Sequence, residues 1–161
     1  MNQTRYTAPD QLCICIDGIG HEEYQGRLYH QYQRAPIHFT DILQLLKRME
    51  HVYDWLNYPE ASTRSRSFRA ISMTEEMEKE KETWNVNEHY EGLDNKGKLA
   101  TFIIHVQYRQ NATWQGKIIW AETKQSTHFR SALEMLKLMD SAVEQAGVDN
   151  EEMNNQEIGG E

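Results

Sequence analysis

The chain has 161 residues, with 17 basic and 25 acidic side chains, a formal net charge of −8 and 39% apolar residues. That length and apolar content suit one buried core or two small packed halves and exclude wholesale disorder. The acidic balance disfavours direct nucleic-acid binding, and no apolar run reaches the roughly 18 residues that would span a bilayer.

Leu12, Ile14 and Ile16 alternate with other residues and predict a strand. Cys13 and Cys15 share its other face, where disulfide geometry is rarely met, so they read as two small buried thiols in a reducing compartment. Asp17, His21, Glu22 and Glu23 follow within one turn; few turns supply three convergent ligands, so no metal is expected. Gly18-Ile19-Gly20 is a hairpin turn by context, and phosphate-binding glycine motifs are absent. A second strand carries Leu28, His30 and Tyr32, with Gly26 at its entry, where a bulge or a close backbone approach would require glycine.

Ile42, Leu45, Leu46, Met49, Val52 and Tyr53 recur at helical spacing. Asp41-x-x-Gln44 caps the start of that helix, and Asn57-Tyr58-Pro59 ends it. Residues 59–98 read as a polar and charged linker or lid, in which Arg64, Arg66 and Arg69 lie close together. Phe102, Ile104, Val106 and Tyr108 form the next strand, then Ile118 and Trp120 another, again entered by a glycine, Gly116. A second helix carries Ala132, Met135, Leu136, Met139, Ala142 and Val143 behind the capping box Ser131-x-x-Glu134. Gly147 is its expected end, and 148–161 is expected to be a disordered acidic tail.

These elements repeat. Aligned without a gap, 24–50 and 114–140 share eight identical residues of 27: Gln25/Gln115, Gly26/Gly116, His38/His128, Phe39/Phe129, Leu43/Leu133, Leu46/Leu136, Lys47/Lys137 and Met49/Met139. Chance pairing would give roughly two. Both helical faces and both capping signals correspond at the same shift of ninety. The expected fold is α+β: two ββα repeats, 1–58 and 99–147, sharing an antiparallel four-stranded sheet with the helices packed on one face.

The string Tyr108-Arg109-Gln110-Asn111, then Trp114-Gln115-Gly116, Trp120, Phe129-Arg130-Ser131-Ala132-Leu133-Glu134 and Leu138-Met139-Asp140 resembles a family of small proteins found in gut Firmicutes. It covers roughly a quarter of the chain, as a count along the sequence gives. No activity is known for that family, so the resemblance implies none. The first copy departs from it, with Asp17 to Glu23 in place of the YRQN loop.

Several residues are candidates for binding. Tyr108, Arg109, Gln110 and Asn111, with Trp114, stand at a predicted loop tip, where binding residues are often carried. Arg64 and Arg66 could meet a phosphate, though such clusters are more often solvated. His38 and His128 precede the two helix starts and could together hold an anion; a structural role is the stronger reading. Tyr24, Tyr32, Trp114 and Trp120 could stack bases or sugars, but their strand parity places most of them in the core.

No residues assemble an acid, a base and a nucleophile, and no cofactor is expected. The absence of a basic and apolar leader in the first thirty residues leads to a cytoplasmic expectation. The function expected is a non-catalytic protein-interaction or regulatory module with an unidentified protein partner, dimeric if an exposed strand edge pairs with a second copy. The alternatives are an acidic inhibitor or decoy of a nucleic-acid-binding protein, of mobile-element antidefence type, and a small-ligand or nucleotide-binding protein.

Overall fold

The computed structural model describes residues 8–62, 66, 68, 79, 82–85, 87, 89–90 and 94–158, with side chains as far as residue 147. The first half contains β1 (Leu12–Gly20), β2 (Glu23–Tyr29), β3 (Ile37–Phe39) and α1 (Ile42–Leu56). The second contains β4 (Ala100–Tyr108), β5 (Gln115–Trp120), β6 (Gln125–Phe129) and α2 (Ala132–Ile158). The fold is α+β, with one sheet of order β3-β2-β1-β4-β5-β6 in which every neighbouring pair is antiparallel.

The sheet has six strands, not four, and each unit is βββα rather than ββα. The additional strands, β3 and β6, are the two edges. They escape a periodicity reading because β3 has only three residues and follows Pro36, and β6 exposes four of its five. Short or polar strands are how sheets blunt their edges.

The shift of ninety runs through the strand pairing. Ile16 pairs with Gly26 and Val106 with Gly116; Gly26 pairs with Phe39 and Gly116 with Phe129. Both first hairpins shift register at one place, between Ile16 and Gly18 and between Val106 and Tyr108. Gly26 and Gly116 lie at these bulges. A Cβ there would stand 1.9 Å from the Cys15 carbonyl oxygen and 2.0 Å from that of His105, so only glycine fits. The turns correspond as well: His21 and Glu22 are both left-handed (φ 51° and 65°), and so are Asn111 and Ala112 (φ 55° and 56°). Two left-handed residues match the twist of a tight hairpin.

Both helices start on reciprocal caps. The Asp41 carboxylate accepts from the Gln44 N–H at 2.7 Å, and the Gln44 side chain accepts from the Thr40 N–H at 3.0 Å. Ser131 Oγ accepts from the Glu134 N–H at 3.1 Å, and Glu134 accepts from the Arg130 N–H at 3.2 Å. Asn57, left-handed at φ 48°, ends α1 where the sequence places its end. By contrast α2 runs on through Gly147 to Ile158, so 148–158 is helix where a disordered tail was expected. Gly147 has no left-handed φ, and a glycine inside a helix costs only about 1 kcal/mol, so it does not by itself end one.

One core joins the halves. Leu12, Ile14, Ile16, Phe102, Ile104, Val106 and Ile118 meet Leu45, Met49, Val52 and Tyr53 of α1 and Met135, Met139, Ala142 and Val143 of α2. Both helices therefore cover the same face. Each also receives a ring from the opposite half: Trp114 meets Tyr53 edge-on at 5.6 Å, and its counterpart Tyr24 donates to the Asp140 carboxylate on α2. On the other face Cys13 and Cys15 are buried free thiols beside Tyr29 and Ile103, and Cys13 Sγ is 3.8 Å from the Asn95 carbonyl oxygen. Among the described residues no helix is long and apolar enough to cross a membrane.

Candidate functional site

The residues expected to bind are dispersed. His38 and His128 lie on β3 and β6, at opposite edges of the sheet, exposed and paired across to Arg27 and Lys117. They neither converge on an anion nor cap a helix. Arg66 is exposed, and Arg64 lies outside the described residues. Tyr108 and Gln110 are exposed, Trp114 is half-buried against the core, and the Asn111 N–H donates to Ser62 Oγ at 3.0 Å.

Arg109 has a structural task that the sequence did not reveal. It is 4% exposed. Its Nε donates to the Pro59 carbonyl and its Nη1 to Asp54 Oδ1, each at 2.7 Å. Its guanidinium also lies 5.6 Å from the centre of the Tyr53 ring. The arginine thus clasps the end of α1 to the second half.

The turn acids are similarly occupied. Asp17 accepts from Arg27 Nε at 2.7 Å and from Nη2 at 3.0 Å, and this guanidinium holds its carboxyl below the usual range. Glu23 accepts from the Ile42 N–H at 3.3 Å. Among the described residues no group of three or more His, Cys, Asp or Glu could hold a metal ion. The buried Asp10 carboxylate lies 2.7 Å from His105 Nδ1; burial pushes its pKa up, and the histidine offsets part of that rise. Cys13 is pushed up by the hydrogen bond with Cys15 and by burial, which disfavours a reactive thiolate there.

What the fold does build is a pair of equivalent grooves, each between a helix and the outer strands of its half. They differ in what fills them. In the first, Trp84 enters from the connecting segment and is 6% exposed. Its ring meets His30 at 4.6 Å, Trp55 at 5.3 Å and His51 at 5.5 Å, all near edge-to-face. Ring pairs in this geometry add about 0.5–1.5 kcal/mol beyond their area. The backbone that follows is fastened twice, by the Asn85 N–H to the Tyr32 carbonyl at 3.2 Å and the Tyr90 N–H to the Gln31 carbonyl at 2.7 Å. Burial pushes the His30 imidazole down to about 4, and its Nδ1 accepts from the Tyr32 N–H at 3.1 Å, so the ring is neutral at pH 7.

Among the described residues the second groove is open, with a volume of about 520 Å³. Phe102, Ile118 and Trp120 form its base, Leu138 and Ala142 one wall, and Gln125, Ser126, Thr127, Ser141 and Gln145 the rest. The positions of His30, His51 and Trp55 are here Trp120, Ser141 and Gln145. Val52 is replaced by Ala142 and Ile37 by Thr127, so the second helix wall and strand edge are smaller and more polar. Among the described residues no charged side chain lines the groove.

Trp84 was the residue missed by sequence reasoning, because it stands in a charged stretch without periodicity. The signal available was a tryptophan there, the one in residues 59–98, together with the disagreement of the two copies at 30/120, 51/141 and 55/145. No family model matches the chain, and no curated protein or solved structure does.

Proposed function

We propose that the chain is a non-catalytic protein-interaction module, and that it takes a segment of its partner into the groove between α2 and β4–β6. The single observation that supports this is the unequal state of the two equivalent grooves: one holds a piece of polypeptide and the other is open. An apolar base with a polar rim suits a protein partner.

The test is a pull-down from lysate of the native host with the full chain and with Ser141→Trp, which blocks the groove from its exposed rim. A partner retained by the parent and lost from the variant is expected; equal retention would sink the reading. The groove's volume also falls in the size class of small-molecule sites, which keeps a small-ligand reading as the second one. A small molecule in the eluates, released by the variant, would favour it.

A further inference from the structure

We propose that the open groove receives the indole of a tryptophan-bearing, irregular segment of a partner polypeptide. This rests on the reading of the chain as an interaction module and names the feature of the partner that the groove recognises.

The argument is the occupant of the equivalent groove. Trp84 shows what the shared architecture accommodates: a single indole delivered by an irregular segment and held by rings set edge-on. The second groove keeps the apolar base of the first, with Phe102, Ile118 and Trp120 where Leu12, Leu28 and His30 stand. It lacks the side-chain bulk of Trp55 and His51 on the helix wall, having Gln145 and Ser141 there, which leaves room for an occupant that still meets an aromatic floor. Trp120, 9% exposed, stands where His30 meets Trp84 in the first groove, so the floor keeps an aromatic ring at that contact.

Charge points the same way. The chain carries a net charge of −8, yet among the described residues the groove lining carries none. A neutral aromatic enters such a site without stranding its own charge, whereas a phosphate or a carboxylate would meet no counter-charge. The backbone anchors of the Trp84 segment also have counterparts. The carbonyls of Tyr32 and Gln31 correspond to those of Glu122 and Ala121, in the β5–β6 turn between the groove residues Trp120 and Gln125. A partner segment crossing that turn would place its indole as Trp84 is placed.

The experiment titrates a blocked peptide copying residues 82–90, Glu-Thr-Trp-Asn-Val-Asn-Glu-His-Tyr, into the ¹⁵N-labelled full chain and follows amide shifts. The counterpart peptide carries Trp84→Ala, and the chain is also made as Ser141→Trp and as Thr127→Trp, the latter on the strand side of the groove. Each variant blocks the groove from an exposed position, so either one that keeps the parental melting temperature serves. The expected result is saturable shifts confined to 125–127 and 138–145, at least tenfold weaker with the alanine peptide and with a blocked chain. Equal binding of the two peptides, shifts mapping to the first groove, a concentration-dependent dimer that occupies the site, or no saturable shift at millimolar peptide would each overturn the proposal. The pull-down separates the two levels: if Ser141→Trp still loses a partner while the peptide fails, the interaction reading stands and the indole assignment falls.

Discussion

Cys13 and Ile103 face each other across the β1–β4 ladder and are ninety positions apart in the chain. On either side, Leu12 pairs with Ile104 and Ile14 with Phe102, and the shift of ninety exchanges these two pairs. A local twofold axis therefore passes through the Cys13–Ile103 pair and relates the halves. Met49 and Met139, buried at 0% and 1%, are related by it and lie in one core. Met49→Ala and Met139→Ala should each cost about 2–5 kcal/mol in urea unfolding, as large core truncations do. A variant that unfolds with the parental midpoint would show that its helix does not pack as described.

Trp84 is the residue of the connecting segment that is buried in the core among the described residues. Trp84→Ala should lower stability by about 3–5 kcal/mol. Limited proteolysis should then cut within 59–98 sooner than in the parent. Unchanged stability would mean that the first groove is open in solution as well.

The His30 ring makes that contact dependent on pH. An unfolded histidine takes its proton near pH 6.5, whereas the folded one is held down to about 4 by burial. Its contribution is thus fully present above pH 6.5 and is lost progressively as the pH falls toward 4, because the unfolded chain binds the proton first. The difference corresponds to roughly 3 kcal/mol. Urea midpoints at pH 4.5 and 7.5 should differ less in His30→Phe than in the parent; parallel profiles would assign the acid sensitivity to other groups.

Arg109→Ala removes two hydrogen bonds from a buried guanidinium and leaves the Pro59 carbonyl without that donor. Asp54 is well exposed, so its share is small. A loss of about 1.5–3 kcal/mol is expected, seen as a lower thermal midpoint. A stable variant with a weakened partner interaction would instead return Arg109 to the binding surface.

Gly26→Ala and Gly116→Ala should each be destabilising by about 1–3 kcal/mol or more, since the added methyl meets backbone that cannot move aside cheaply. Gly18→Ala, with nothing within 4 Å of the added carbon, is the matched control and should melt near the parent.

The helices and inner strands were legible because their side chains alternate between core and solvent at fixed periods. The repeat was legible because Gly26, Gly116, Phe39 and Phe129 are bound to their positions by close approach and burial. The edge strands were not, since a strand with one open edge and exposed side chains needs no apolar alternation. Arg109 read as a loop residue because a buried arginine is recognised by what surrounds it, and Pro59 and Asp54 are some fifty positions away. The groove could not be read at all: a vacancy is a property of three dimensions, and only comparison of the copies at 51/141 and 55/145 hints at it.

The plugging of the first groove by Trp84 has a consequence for stoichiometry. A symmetric molecule with two open grooves would be bivalent and could bridge its ligands into chains. On the proposed reading, sealing one groove with a piece of the same polypeptide leaves the molecule monovalent. Whatever enters the other groove is held once per chain, and an assembly that recruits this protein through that groove ends there rather than growing.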